Sequence, residues 1–316
     1  MLSRRYIRIK AMQALYAYFH SEDKKISIQE KALFSSIDKI YELYLSLLLL
    51  LIEIRENARE LIAIRKIKRL PTAEDITPNT RFVDNRIFGM LSINRQLTGE
   101  TSKRKISWQN DKEISQKVFS NIKESNEYAS YMNSEEKGFS SDKKYIIDLW
   151  KQFIIESELL HFFFEEKSIH WADDIDYVNS VVIKTIESLP EDASDNFKIF
   201  DLYKDEKEDR IFTRDLFRQV IEFSEECDKE IQAKTENWEL DRIAFMDVLL
   251  MKMAMVELLH FPTIPVKVTL NEYIELSKQY STPKSSLFIN GILDKLVIEY
   301  KNNGKLQKHG RGLVES

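Results

Sequence analysis

Seven glycines and six prolines in 316 residues constrain this chain more tightly than any motif within it. Strand-rich and α/β proteins place glycine at positive-φ turns and phosphate loops, and proline at turn corners. A chain with so few of either is predicted to be all-α. Its 43% hydrophobic content is ample for one large domain or two ordinary ones at this length. The single cysteine, Cys227, excludes an internal disulfide and a multi-cysteine metal site. It reads as a free structural thiol in a reducing, cytoplasmic compartment.

The amino terminus, MLSRRYIRIKAMQALYAYF, opens with positive charge, but Arg8 and Lys10 fall where a signal peptide needs an unbroken apolar region. The most apolar run, residues 43–54, is interrupted by Ser46 and Glu53 and falls short of the ~20 residues that span a bilayer. It is expected to be a buried helix, and no membrane partner is expected. A net charge of −5 argues against wholesale coating of nucleic acid, so any RNA contact must come from a local basic patch.

Hydrophobic periodicity predicts a helix over residues 4–19, with Ile7, Ala11, Ala14, Leu15 and Tyr18 on its apolar face and Arg4, Arg5, Arg8 and Lys10 crowding its start. Negative groups, not cations, are favoured at a helix N-terminus, by ~0.3–1 kcal/mol each, so this crowding points to an external anion. A second helix is expected from about residue 28 into the forties. A separate long one follows to about 67, ending in Arg65, Lys66, Lys68 and Arg69 before Pro71, where cations are ordinary dipole partners. Residues 71–105, with Pro78, Gly89 and Gly99, are expected to be irregular around a short helix over 84–97.

Residues 142–176 and 209–243 align without a gap at an offset of 67, with ten identities in 35 positions. Asp142, Leu149, Ser157, Lys167, Trp171 and Asp174 recur as Asp209, Leu216, Ser224, Lys234, Trp238 and Asp241, while Tyr145 and Trp150 become Phe212 and Phe217. Such self-similarity marks either a duplicated supersecondary unit or two amphipathic helices of similar composition aligning by accident.

The stretch 264–295, IPVKVTLNEYIELSKQYSTPKSSLFINGILDK, has the most specific pattern. Val268, Tyr273, Leu276 and Tyr280 fall on one stripe, Ser281 and Pro283 offer an N-cap and a preset first turn, and Leu287, Phe288, Ile292 and Leu296 continue an apolar stripe. Gly291 follows Asn290 inside this second helix, where glycine costs roughly 1 kcal/mol relative to alanine; close approach of another helix is the expected gain. Asn271 and Glu272 are placed to cap the preceding helix. This stretch resembles the C-terminal helical hairpin of the NusB family. The segments RRYIRIKAMQALYAYF, FTRDLFRQVIEFSEECDKEI and NWELDRIAFMDVLLMKMAMVELL resemble the same family, so the likeness covers about 130 residues.

The resemblance implies an all-α, NusB-like helical bundle domain at residues 1–27 and 206–300, with a helical insertion at 28–205 and a flexible tail at 301–316. Within the insertion, 142–187 would be a degenerate repeat of 209–254 that lacks a second RNA site. It further implies a transcription antitermination factor that binds boxA-type single-stranded RNA of ribosomal RNA transcripts together with the NusE-type small-subunit ribosomal protein. Through them it would act on the elongating RNA polymerase and support ribosomal RNA maturation. The rival expectation is a helical protein-interaction scaffold that has lost specific RNA binding.

Residue by residue, Arg4, Arg5, Arg8 and Lys10 match the family's basic RNA-contacting positions, and guanidinium suits that task by pairing phosphates and stacking on unpaired bases. Phe288 falls where the family holds a phenylalanine beside RNA, with core packing as its alternative. Lys284, also expected to contact RNA, and Leu287 replace the family's acidic and basic neighbours there. Tyr16, Lys252 and Glu257 match positions near the partner surface; the alternatives are core packing for Tyr16 and plain exposed helix charges for Lys252 and Glu257.

No catalytic residue, metal or cofactor is expected. Glu158 and His161 have E-x-x-H spacing, and Glu257 and His260 repeat it, but a di-metal helical site also needs two further glutamates on facing helices. His20, His161, His170, His260 and His309 are scattered, and no glycine-rich nucleotide loop occurs. That absence also separates the chain from NusB-like domains fused to ribosomal RNA methyltransferases.

Overall fold

The computed structural model describes residues 1–235 and 243–309. Its α-helices, in chain order, are α1 (Arg4–His20), α2 (Ile26–Lys66), α3 (Ala73–Ile76), α4 (Arg86–Ile93), α5 (Arg95–Arg104), α6 (Lys112–Lys123), α7 (Asn126–Asn133) and α8 (Phe139–Leu149). They continue with α9 (Glu158–Lys167), α10 (Ile169–Ser188), α11 (Glu206–Glu222), α12 (Ser224–Lys234), α13 (Phe245–His260), α14 (Val266–Tyr280) and α15 (Ser285–Asn302). No strand occurs among the described residues, as the shortage of glycine and proline predicts. No described helix is long and apolar enough to cross a membrane.

The chain divides into two compact units, Ile37–Leu202 with Met1, and Leu2–Ser36 with Tyr203–Ser316. The boundary falls inside α2. Residues 26–66 hold neither glycine nor proline, so nothing interrupts the backbone where two separate helices were expected. Within the first unit the apolar run of α2 is interior, with Leu47, Leu48, Leu50 and Leu51 fully buried. Buried polar groups are matched around it: the Trp108 indole donates to the Ser46 carbonyl (2.9 Å) and the Trp171 indole to the Lys39 carbonyl (2.8 Å). Residues 71–105 are more regular than expected. A Thr72–Asp75 capping box starts α3, Asn85 and Asn94 cap α4 and α5, and Lys105 at φ 57° closes α5.

The two segments that align in sequence share helix boundaries. Helices α8 and α11 begin at Phe139 and Glu206, and α9 and α12 end at Lys167 and Lys234, each pair at the offset of 67. Asp142 and Asp209 are both buried acids in a first helical turn, and Leu149 with Trp150 is as buried as Leu216 with Phe217. The segments differ after Leu149, where α8 passes into a π-helical stretch, Trp150–Ile155. The pairs ending in Trp238 and Asp241 lie outside the described residues.

The second unit is organised around α13, which is buried on every side and packs against α1, α11, α12, α14 and α15. Its three buried polar residues, Asp247, Lys252 and Glu257, are five positions apart, so successive side chains leave the helix about 140° apart. Each therefore fastens a different neighbour. Asp247 accepts from the Ser281 and Ser285 hydroxyls (2.8 Å from Ser285) at the α14–α15 turn. Lys252 donates to Ser224 and Asp228 of α12 (both 2.7 Å). Glu257 binds Arg8 of α1. Expected as partner contacts, with exposed helix charges as the alternative, Lys252 and Glu257 are buried and bonded within the unit, and Asp247 was not singled out at all. Cys227 on α12 is buried, and burial pushes its thiol up to about 12, consistent with an inert structural thiol.

The C-terminal hairpin departs from its expected stripes. Val268 and Leu287 are exposed, and the buried positions are Thr269, Tyr273, Leu276 and Ser277 on α14, with Ile289, Ile292, Leu293 and Leu296 on α15. Ser281 does not cap α15, which starts at Ser285; its hydroxyl serves Asp247. Residues 303–309, expected to be loose, are tied down. Lys308 donates to the Glu257 and Phe261 carbonyls (3.1 and 2.9 Å) at the end of α13, and burial lowers its pKa to about 8. Residues 310–316 of the expected tail lie outside the described residues.

Gly291 does not permit close helix approach. It is exposed, and a Cβ there would meet nothing within 4 Å. Gly291→Ala should therefore raise stability by roughly 0.5–1 kcal/mol, read as a higher urea midpoint at unchanged slope. An unchanged or lower midpoint would mean that this position has a requirement the free space does not reveal.

Candidate nucleic-acid interface

The arginines of α1 are positioned by the first turn of that helix, which Ser3 caps by accepting from the Tyr6 amide (3.2 Å). Residues 4, 5 and 8 share one edge of a helix, so three guanidinium groups leave it together. Each then meets an acid. Arg4 pairs with the buried Asp209 (2.8 Å) and lies over the Phe212 ring at 4.5 Å. Arg5 makes a two-pronged bond to Glu272 (2.9 and 2.8 Å). Arg8, only 2% exposed, makes another to Glu257, which is 0% exposed, with both bonds at 2.7 Å. Glu257 also accepts from the Thr269 hydroxyl (2.8 Å) and the Tyr273 phenol (3.1 Å).

These pairs answer the charge crowding predicted for this helix. The external anion it pointed to is not required for neutrality, because Asp209, Glu257 and Glu272 supply the counter-charge. Burial alone would lower the Arg8 pKa, but the hydrogen bonds and charge of Glu257 outweigh it and raise it. The Tyr273 phenol is held well above its ordinary value by burial and then by the Glu257 charge. Arg5 is raised by its bond to Glu272.

The four predicted RNA residues of α1 thus separate into two sets. Arg4 and Arg5 keep 39% and 50% of their side-chain surface. Arg8 and Lys10 are each only 2% exposed, far less open to a ligand than Arg4 and Arg5. Arg4, Arg5 and Arg8 line a groove of about 620 Å³ together with Ser3, Thr263, Ile264, Pro265, Val268 and Glu272. The far wall is the start of α14. Pro265 occupies its N-cap without a side-chain hydrogen bond, and its first turn holds no acid, so this helix end favours an anion. The IPVKV motif is this wall.

Phe288 and Lys284 lie elsewhere on the unit. With Ile243, Ala244, Asp247, Thr282 and Ser285 they line a mostly apolar cavity of about 420 Å³, in which Phe288 is half-buried and Lys284 is exposed at the edge. Tyr16 is 42% exposed and stacks on His20 at 4.2 Å, with Phe245 edge-on at 5.4 Å. Lys252 and Glu257, the other two expected partner contacts, are enclosed as described above. Glu272 and Asp209, which hold Arg5 and Arg4, were not read as arginine partners; Glu272 was expected as a cap, yet it stands in the second turn of α14. His161 is engaged by its own turn, its ring nitrogen donating to the Ile155 carbonyl (2.8 Å). No group of three or more potential metal ligands is gathered among the described residues.

The described residues form an all-helical protein with an arginine-lined groove. The NusB family model matches residues 178–297. The transcription antitermination protein NusB of Salinibacter ruber is 44% identical over 105 residues, 33% of this chain and 66% of the relative. That of Chloroherpeton thalassium is 41% identical over 127 residues, 40% and 56% of the two chains. That of Geobacter sulfurreducens is 42% identical over 95 residues, 30% of this chain and 69% of the relative. The chain belongs to the NusB family, although it spans less than two thirds of the first two relatives and most of its own length lies outside each match. No solved structure matches it.

Proposed function

We propose that this chain is a non-enzymatic transcription antitermination factor that binds boxA-type single-stranded RNA of ribosomal RNA transcripts jointly with a NusE-type small-subunit ribosomal protein. The observation that carries this reading is the groove in which Arg4 and Arg5 face the uncapped start of α14. Phosphates there would gain two guanidinium partners and a set of backbone amides. Phe288 in its apolar cavity supplies a face for an unpaired base. The half-exposed aromatic group of Tyr16, His20 and Phe245 is the surface assigned to the ribosomal protein. Arg8, Lys10, Lys252 and Glu257 hold these surfaces in place from within. We assign 142–187 as a degenerate copy of 209–254, inserted between the first helix and the rest of the family domain.

A second reading, a helical scaffold without specific RNA binding, draws on the internal neutralisation of all three arginines. Fluorescence anisotropy separates the two. A labelled boxA-like RNA and a scrambled control are titrated at two salt concentrations, with and without the cognate ribosomal protein. Selective binding that tightens with the partner supports antitermination. Partner binding with equal affinity for both RNAs favours the scaffold.

A further inference from the structure

Positive charge that an acid answers only at Lys68 is concentrated at the end of α2. Arg65, Lys66, Lys68 and Arg69 occupy four of five consecutive positions, and no acid occurs between Glu60 and Glu74, in a chain whose net charge is −5. Lys68 stands 3.4 Å from Asp75. Arg65, Lys66 and Arg69 are exposed and have no carboxylate partner among the described residues. This is the reverse of α1, where every arginine is matched. The C-terminal dipole of α2 accounts for cations in its last turn, but Lys68 and Arg69 lie beyond Lys66, the last helical residue.

Aliphatic side chains are set between these cations. Ile64, Ile67 and Leu70 are 59%, 83% and 87% exposed, so the surface repeats one apolar residue for each pair of charges. Three aliphatics, two of them on non-helical backbone, are too few and too irregular for the continuous apolar face with which a helix lies in a membrane interface. A single-stranded nucleic acid offers the matching alternation, a phosphate at every residue and a flat base between, and arginine can serve both parts. A duplex hides its base faces.

We propose that residues 64–70 form a second single-stranded RNA contact, outside the family-matched segment, in which Arg65, Lys66 and Arg69 take phosphates while Ile67 and Leu70 pack on splayed bases. The inference rests on the RNA-binding reading of this chain, and the test keeps the two apart. The full chain and its Arg65→Gln, Lys66→Gln, Arg69→Gln triple variant are titrated with labelled single-stranded RNA of mixed sequence, the matching duplex, and vesicles of anionic phospholipid. Because all three residues are exposed and unpaired, the variant should fold, as circular dichroism would verify.

Loss of three phosphate contacts should lower the salt slope by about 2 log units per decade and weaken single-strand binding on the order of tenfold or more at low salt. Ile67→Ser with Leu70→Ser should weaken binding while leaving that slope alone, and the duplex should bind more weakly than the single strand. If the native chain binds RNA and the triple variant matches it in affinity and slope, this contact is wrong while the α1 reading stands. If the variant loses vesicle binding but keeps RNA binding, the tip is a lipid contact and the proposal is overturned. If the native chain binds no RNA, the broader reading fails with it.

Discussion

Glu257→Ala should cost about 3–5 kcal/mol of unfolding free energy, the range for removing one partner of a buried ion pair. The reason is geometric. The carboxylate accepts two bonds from Arg8 and one each from Thr269 and Tyr273, with no solvent access. Its loss leaves a guanidinium that cannot deprotonate, with only Glu272 at 3.7 Å for charge, and strands two buried hydroxyls. Arg8→Ala should behave differently with pH. The carboxylate left behind is buried without a cation, so its pKa rises and the folded state takes up a proton that the unfolded state releases. The destabilisation relative to the native chain should therefore be largest at neutral pH and shrink as pH falls, whereas that of Glu257→Ala should not shrink. Paired with Arg8→Met, Glu257→Met should cost less than the two single changes added together, because neither charge remains unpaired. Urea midpoints for the native chain, the two alanine variants, the two single methionine variants and the methionine pair, at neutral and mildly acidic pH, decide this; additive costs with parallel pH dependence would mean that the pair does not act as a unit.

That pair also marks where the sequence stops being readable. The fold class follows from composition, because helix-breaking residues are simply missing, and the start of α1 at Arg4 can be read from Ser3 and the periodic apolar residues. The uninterrupted α2 was legible in principle, since residues 26–66 lack glycine and proline; expecting a break there overlooked that absence. Burial along α14 and α15 was harder, because Val268 and Leu287 fit the apolar stripe by spacing but face outward, and the positions they would fill are taken by Thr269 and Ile289. The arginine partners were out of reach for another reason. Arg8 and Glu257 are 249 residues apart and Arg5 and Glu272 are 267 apart, and no local spacing rule links charges across such distances. A helix with unopposed cations predicts an anion, but not whether the chain or a ligand provides it. Within α13, the five-residue spacing of Asp247, Lys252 and Glu257 was visible, yet its meaning depends on the helix being enclosed on every side.

Neutralising Arg4 and Arg5 is expected to have the largest effect on RNA binding. Both side chains are partly exposed and both already have acids, so a phosphate entering the groove must share them with Asp209 and Glu272. Glutamine is the informative replacement. It removes the charge, retains a donor for the resident acid, and avoids placing a new carboxylate beside the buried Asp209. The Arg5–Glu272 pair is peripheral and worth about 0–1 kcal/mol, the buried Asp209 keeps its bonds from the Lys204 and Asp205 amides, and Arg8 stays in place, so the fold should persist. Two lost phosphate contacts should reduce the salt slope of boxA-like RNA binding by about 1.4 log units per decade and lower affinity on the order of tenfold or more. Glu272→Gln sharpens the test because it moves the other way. Freeing Arg5 from its competitor should tighten RNA binding and steepen the salt dependence, whereas a purely structural Arg5–Glu272 pair would leave both unchanged or weakened. Opposite shifts from the Arg4→Gln, Arg5→Gln protein and from Glu272→Gln would place phosphate in the groove between α1 and α14. Shifts in the same direction would return those arginines to the scaffold.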